Sequence, residues 1–250
     1  MGFLNDVLVW LNDPLNWQGR RGIVNRLLEH LQYSVAALLA ACLLALPVAI
    51  WLGHRRRFGT LAVNVSNVGR AIPSVAFIFT FSAIIGIAVL PVIGPVATFV
   101  ALVALAIPPL VTNAYVGMAE VPDDIRDAAK GMGMSEGQVL RQVEFPVALP
   151  LIMAGVRTAA VQVVATATIA AFVGAGGLGR YIVDGYAVRD YVQVFAGALL
   201  VALLSIATEL VMSLLQRALT PKGLRGGQLA TVADVSVVAG RVADDAGAPA

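Results

Sequence analysis

The stretch Leu31–Gly53, LQYSVAALLAACLLALPVAIWLG, decides the fold, because it contains no charged residue. A helix that spans a bilayer needs about 20 mostly apolar residues. Four later stretches also meet this requirement: Ile72–Leu90, Val96–Met118, Pro150–Val173 and Val192–Leu215. The sequence therefore predicts an all-α, polytopic membrane domain with about five spans.

The composition supports a membrane protein. The chain is 59% hydrophobic and 13% charged, whereas soluble domains carry about 25% charged residues. The formal net charge of +2 does not suggest a nucleic-acid binder. Cys42 is the single cysteine, so no intrachain disulfide can form, and His30 and His54 are too far apart in sequence to suggest a metal site.

Basic residues between the spans predict the orientation, because loops rich in Lys and Arg stay in the cytoplasm. One set follows the first span, lies between the third and fourth, and follows the fifth: His54–Arg57, Arg126, Lys130, Arg141, Arg217, Lys222 and Arg225. The opposing set is smaller: Arg20, Arg21, Arg26, Arg180 and Arg189. We expect the N-terminus outside, the C-terminus inside, and a multi-pass protein of the bacterial cytoplasmic (inner) membrane.

The two ends differ from the middle. Phe3–Trp17 is too short and polar to span, which favours an interfacial helix and no cleavable signal peptide. We divide the chain into an external or interfacial segment at 1–28, a membrane domain at 29–220 and a mostly disordered cytoplasmic tail at 221–250.

The loop 120–149, between the third and fourth spans, predicts two short helices outside the bilayer. Pro122 and two aspartates suit the start of the first helix, and Gly131 and Gly133 suit its end. Its apolar face is predicted to comprise Val121, Ile125, Ala128, Ala129 and Met132.

Ser135–Gln138 has the pattern of a capping box that begins the second helix, and Pro146 and Pro150 are expected to end it. Such a compact loop could rest on lipid, or it could dock a cytoplasmic partner.

The same loop resembles the EAA motif of ABC importer permeases. That motif is Glu-Ala-Ala, three residues, Gly, nine residues, Ile, one residue and Leu-Pro. This chain has Asp127-Ala128-Ala129, Gly133, Val143 and Phe145-Pro146 at the same spacing. Asp127, Val143 and Phe145 depart from the family residues but keep their character, so only the detail of the partner contact is in question.

The resemblance implies a type I ABC importer permease, a transport subunit rather than an enzyme. Its coupling helix would seat in a separate ATPase subunit, through Asp127, Ala128, Ala129, Gly131, Gly133, Val143, Phe145 and Pro146. ATP and Mg would bind that partner, with no cofactor on this chain. The further partners implied are an extracytoplasmic solute-binding protein, a second permease copy, identical or paralogous, and membrane lipid.

Five further stretches narrow the resemblance: Glu29-His30-Leu31, Arg70–Ser74, Ala128–Met134, Leu149–Thr158 and Ala170–Gly179. Together they resemble the osmoprotectant permeases, which import glycine betaine, choline, carnitine or proline. Methionine permeases share the glycine-rich part of Ala170–Gly179, so methionine or another small polar solute is the alternative. A secondary transporter and a membrane enzyme are further alternatives, which a co-purifying ATPase would exclude.

Several residues inside the spans are candidates for the solute pathway or for ion pairing. A proline within a span leaves a backbone carbonyl without its helical partner, either beside a cavity or at a simple packing kink. A threonine hydroxyl in mid-span can bond the preceding turn of its own helix or a solute. The pathway candidates are Pro73, Ser74, Pro108, Pro109, Thr166 and Thr168. Arg157 and Glu209 are predicted either to pair inside the membrane or to reach the interface separately.

Overall fold

A computed structural model describes residues 2–56, 64, 73–88 and 93–221. These residues form helices and connecting turns and contain no strand. The α-helices are α1 (Phe3–Asn12), α2 (Ile23–Arg55), α3 (Ser74–Ala88), α4 (Ile93–Ala119), α5 (Asp123–Gly131), α6 (Glu136–Gln138), α7 (Phe145–Ala167), α8 (Gly179–Val188) and α9 (Tyr191–Leu219). A π-helical segment, Val139–Glu144, joins α6 to α7, and 3-10 turns follow α1 and α7 at Pro14–Asn16 and Thr168–Val173.

The all-α membrane fold predicted from the sequence is confirmed. Within the described residues, four helical stretches are long and apolar enough to cross a membrane: Ile23–Arg55, Val96–Ala119, Glu136–Val173 and Tyr191–Leu219. Helix α3 has 15 residues and coincides with the predicted second span.

Small residues bring the central helices together. Helix α2 turns a stripe of alanines at four-residue intervals, Ala37, Ala41, Ala45 and Ala49, toward α4 and α7, and each is buried. Such stripes let membrane helices approach closely. The stripe continues at Gly53, where a Cβ would lie 2.5 Å from Cβ of Met118 on α4.

The bundle has two poles. At the Glu144 pole, Arg56 at the end of α2 donates a 2.7 Å hydrogen bond to the Val121 carbonyl, just beyond α4. At the Gly177 pole, Glu29 near the start of α2 accepts a 2.9 Å hydrogen bond from the Gly177 N–H, beyond α7. Helices α2 and α4 both end at the Glu144 pole, and α3 packs against α4.

The prediction that Pro146 and Pro150 end the second loop helix is wrong. The helix that begins at Glu136 continues through the π-helical segment into α7, which contains both prolines. A proline has no N–H to contribute to a helical turn, and the wider π turn directly before α7 accommodates this loss near Pro146. The loop helix and the fourth span are therefore one continuous rod.

The N-terminal segment does contain a short helix, α1. It packs against α9, where the rings of Phe3 and Phe195 lie 5.5 Å apart, and Trp10 meets Tyr181 of α8 at 5.4 Å. Helix α2 begins at Ile23, so its first turns lie in the segment assigned to 1–28. Most of the predicted tail, from residue 222, lies outside the described residues.

Candidate functional site

The first helix of the loop, α5, has the predicted ends. It begins after Pro122 with Asp123 and Asp124 in its first turn, where acidic side chains suit the helix dipole. After Gly131 the chain turns at Gly133, whose φ is +85°. The N–H of Met134 donates a 3.2 Å hydrogen bond to the Ala129 carbonyl and closes the turn. This backbone conformation explains why a glycine stands at position 133.

The apolar face predicted for α5 is divided between two directions. Val121 and Ala129 are buried, at 1% and 2% exposure. Ile125 and Met132 are exposed, at 41% and 77%, and Ala128 is exposed beside them. We call Ile125, Ala128 and Met132 the outward apolar face. The described residues of this chain leave this surface uncovered.

Beneath α5 lies a buried carboxylate that joins three parts of the chain. Glu144, 2% exposed, lies 2.6 Å from Nδ1 of His54 at the end of α2. Its other oxygen lies 3.2 Å from Nε of Arg126 on α5. Arg126 also donates a 2.6 Å hydrogen bond from Nη2 to the Met118 carbonyl at the end of α4. These contacts connect α5 to α2, to α4 and to the π-helical segment that leads into α7.

Two exposed ion pairs surround this buried cluster. Arg56 lies 2.6 Å from Asp123, and its hydrogen bond holds the pKa of the Asp123 carboxyl below the usual value. Lys130 lies 2.9 Å from Glu136, and this hydrogen bond holds the pKa of the Lys130 ammonium above the usual value. Both pairs fix the ends of α5 to neighbouring elements, although exposed pairs contribute little to stability.

The predicted capping box is confirmed. The Ser135 side chain accepts from the backbone of the first turn of α6, and the Ser135 N–H donates a 2.8 Å hydrogen bond to Oε1 of Gln138. The π-helical segment that follows places Val143 and Glu144 at its end. Such wide turns are frequent at functional sites.

The residues matched to the EAA motif fall into two environments. Asp127, Ala128, Gly131 and Gly133 lie on the exposed surface of the loop, whereas Ala129 is buried under α5. Val143 and Pro146 are half-buried, and Phe145 is 37% exposed. Sequence reasoning missed Arg126 and Glu144, the two charged residues on which the loop is seated.

One known protein family matches most of this chain. Residues 41–222 match the family described as "Binding-protein-dependent transport system inner membrane component". The chain belongs to this family. It is therefore a permease, a transport component that works with a separate ATPase subunit rather than an enzyme.

Two relatives illustrate the match. The permease is 33% identical over 198 residues to the glycine betaine/carnitine/choline transport system permease protein OpuCB of Bacillus subtilis (strain 168), covering 79% of this chain and 88% of that protein. It is 35% identical over 202 residues to the osmoprotectant import permease protein OsmW of Salmonella typhimurium, covering 79% and 91% respectively. These relatives are similar to the permease along most of their length.

Solved structures share its fold. The MetNI methionine ABC transporter, in inward-facing conformations, matches with a TM-score of 0.70 and 22% identity, covering 84% of this chain and 100% of that chain. An amino acid ABC transporter crystallised with histidines matches with a TM-score of 0.66 and 18% identity, covering 87% and 99% respectively. At these identities the matches show the fold of type I ABC importer permeases and nothing of the solute.

A neighbouring helix satisfies the carbonyl that Pro109 frees in α4. Pro109 has no N–H, so the Leu105 carbonyl one turn earlier loses its helical partner. Gln162 of α7 supplies the missing donor, with Nε2 at 3.2 Å from the Leu105 carbonyl oxygen. Close by, a Cβ at Gly155 would lie 2.9 Å from the Pro109 carbonyl. The prolines thus help α4 and α7 to pack, and lining of a pathway by Pro108 and Pro109 stays a prediction.

The other pathway candidates lie at the start of α3, in α7 and in the 3-10 turn that follows α7. Pro73 is exposed and Ser74 half-buried at the start of α3. The Thr166 hydroxyl donates to the Gln162 carbonyl of the preceding turn, the usual arrangement for a threonine within a helix. Among the described residues, Oγ1 of Thr168 is buried without a hydrogen-bond partner. Their role in solute passage stays a prediction.

Arg157 and Glu209 are paired. Nη2 of Arg157 on α7 contacts Oε1 of Glu209 on α9. Gln216 extends the group, since its Nε2 donates a 3.0 Å hydrogen bond to the Pro150 carbonyl. The pair thereby joins α9 to α7 on the side nearer the Glu144 pole.

Two of the stretches quoted for the osmoprotectant resemblance meet at the Gly177 pole. Glu29 bonds the Gly177 N–H, and His30 is buried against the same turn. Nε2 of His30 lies 2.8 Å from the Val164 carbonyl, so it carries the proton, and Nδ1 accepts from the Leu178 N–H at 3.3 Å. The glycine-rich turn at 174–179 is thus hydrogen-bonded to α2.

Proposed function

We propose that this permease forms the passage of an ABC importer for a quaternary ammonium osmolyte such as glycine betaine, choline or carnitine. ATP binding and hydrolysis occur on a separate ATPase subunit. An extracytoplasmic solute-binding protein delivers the solute, and two permease copies, identical or paralogous, enclose the passage in the bacterial cytoplasmic membrane.

The observation that carries the coupling role is the outward apolar face, set directly above a buried ion-pair cluster. Ile125, Ala128 and Met132 offer a docking surface for a cleft in an ATPase. Arg126 and Glu144 then link any displacement of α5 to α2 and α7. A loop that only rested on lipid would not require a buried carboxylate beneath it.

The charges support an orientation with the Glu144 pole in the cytoplasm. His54, Arg55, Arg56, Arg126 and Lys130 are gathered there. The opposite pole holds Arg20, Arg21, Arg26, Arg180 and Arg189, and it would face the solute-binding protein. The loop before α7 contains Arg126, Lys130 and Arg141, and loops rich in Lys and Arg tend to stay in the cytoplasm.

The solute class is supported by the relatives. OpuCB is named for glycine betaine, carnitine and choline, and OsmW for osmoprotectants. The structural likeness to a methionine transporter is a likeness of fold, so methionine is the less supported alternative.

Reconstituted transport tests the proposal. The permease, its ATPase and its solute-binding protein are assembled in proteoliposomes with ATP inside. Uptake of labelled glycine betaine, choline, carnitine, proline and methionine is then compared. We expect ATP-dependent uptake of at least one quaternary ammonium solute. Uptake of methionine alone, or uptake that needs no ATPase, would contradict it.

A further inference from the structure

A polar cavity of about 480 Å³ opens at the Gly177 pole, between the start of α2 and the glycine turn. One wall is formed by Arg21, Arg26, Glu29 and Tyr33, and the opposite wall by the backbone 174–176 with Arg180 and Asp184. The lining residues come from two distant stretches of the sequence, so no local pattern predicts the cavity. In the fold they become the lining of one space.

The charges of the lining are unequally satisfied. Arg26 and Glu29 form a 2.7 Å ion pair, and Arg180 pairs with Asp184 one helical turn away. Within the described part of the chain, Arg21 has no carboxylate partner. The cavity thus contains the guanidinium of Arg21, which has no ion pair among the described residues, beside the carboxylates of Glu29 and Asp184, which are already paired with arginines.

The walls are held in place by named contacts. Glu29 accepts from the Gly177 N–H at 2.9 Å, and the Tyr181 hydroxyl donates to the Arg21 carbonyl at 2.7 Å. Arg180 donates to the Ala171 carbonyl at 3.3 Å. A Cβ at Gly176 would overlap the Glu29 carboxylate, so the turn approaches α2 as closely as the backbone allows. The cavity is therefore a formed site and not a gap beside a loose loop.

We propose that this cavity binds a small zwitterion, with its carboxylate on Arg21 and its quaternary ammonium group between the Tyr33 ring and the acidic side chains. This inference rests on the proposed function and assigns a solute site to the external end of the permease. Guanidinium groups bind carboxylates through charge-assisted hydrogen bonds. Aromatic faces attract quaternary ammonium groups.

A zwitterion fits this lining better than a simple ion. A simple anion would meet Glu29 and Asp184, and a simple cation would meet three guanidinium groups. A molecule with both charges satisfies Arg21 without leaving either carboxylate opposed by a like charge. Glycine betaine has this chemistry, whereas choline has the ammonium group but no carboxylate. A comparison of the two solutes therefore separates binding of the carboxylate from binding of the ammonium group.

The test uses Arg21→Gln, which removes the guanidinium and keeps the backbone carbonyl that Tyr181 requires. Arg20→Gln is the matched control, because Arg20 loses the same charge one residue earlier and does not line this cavity. In proteoliposomes, Arg21→Gln should raise the KM for glycine betaine about tenfold, the usual scale for one lost charge-assisted hydrogen bond. The KM for choline should stay within about twofold. Arg20→Gln removes a charge from the same pole, which faces the binding protein, and should leave the ratio of the two KM values unchanged.

A second measurement does not depend on transport or on the binding protein. Saturation-transfer NMR on the purified permease–ATPase complex reports contact with the N-methyl protons of glycine betaine. We expect transfer in the wild-type complex and in Arg20→Gln, and a large loss in Arg21→Gln.

Two results would overturn the site. One is equal impairment of betaine and choline uptake by Arg21→Gln, which would place Arg21 in docking of the binding protein. The other is absence of saturation transfer in the wild-type complex. Wild-type uptake of betaine without saturation transfer would refute the site alone. Saturation transfer without ATP-dependent uptake would instead count against the proposed function.

Discussion

Glu144 and His54 are joined across the Glu144 pole, with Oε2 of the glutamate 2.6 Å from Nδ1 of the histidine. The two residues belong to different spans, and the other carboxylate oxygen reaches Arg126 on the loop helix. A carboxylate that is 2% exposed must be paired to be tolerated. Helix α5 is therefore held by buried contacts on its inner side, and its outward apolar face is available to a partner.

Glu144→Gln should weaken this attachment, because the amide keeps the shape and removes the negative charge. Loss of one partner from a buried ion pair costs about 3–5 kcal/mol. We expect a lower unfolding temperature in detergent and faster proteolysis within the loop before α7. Glu136→Gln is the control, since Glu136 lies on the same pole and is 67% exposed. Equal stability of the two variants would show that the buried pair is not structural.

Arg157 and Glu209 should show a positive coupling energy. Each single change to leucine leaves an unpaired charge within the bundle, whereas the double change leaves none. In a double-mutant cycle on thermal unfolding, the interaction term should fall at about 0.5–3 kcal/mol. Additive effects of the two substitutions would mean that each side chain reaches water independently.

The spans could be predicted because a helix needs a long, nearly uncharged apolar run to cross a bilayer, and such runs are conspicuous in a sequence. The ends of the helices could not be predicted in the same way. Helix α2 begins before the apolar run, because Arg26 and Glu29 pair with each other within it. The continuous helix from α6 into α7 could not be predicted either. Pro146 and Pro150 suggested that the helix ends, whereas the π-helical segment before α7 accommodates the first proline.

The buried contacts of Glu144 beneath the loop were not predicted, for a different reason. Glu144 lies inside the matched motif at a position that the motif leaves open. Its spacing to Ala148 and Ile152, four and eight residues later, would have placed it on the buried face of the helix. The meeting of Glu29 and His30 with the glycine turn is a contact between distant parts of the chain, and no local pattern predicts it.

Cysteine labelling tests the orientation. In a Cys42→Ala background, Val188→Cys at the Gly177 pole should react with an impermeant thiol reagent added to intact cells. Gly137→Cys should react only after permeabilisation. Val188 is 74% exposed, and Gly137 is exposed with no atom within 4 Å of an added Cβ. The reverse labelling pattern would invert the topology.

The central claim is that the loop from Val121 to Pro146 transmits the ATPase stroke, and Gly133→Trp tests it most directly. A Cβ at Gly133 meets no atom within 4 Å, so the indole projects from the exposed surface into the partner's space. Gly133→Ala is the control, because it imposes the same backbone strain at φ +85° without bulk. That strain costs about 1–2 kcal/mol.

The measurement is ATP-dependent uptake of labelled glycine betaine by vesicles that contain equal amounts of wild-type, Gly133→Ala or Gly133→Trp permease with its ATPase and binding protein. We predict normal membrane abundance for all three. Uptake should be largely retained by Gly133→Ala and lost, together with ATPase docking, by Gly133→Trp. Undiminished uptake by Gly133→Trp would contradict the coupling role, because tryptophan is accepted at a membrane interface but not in a closed protein contact.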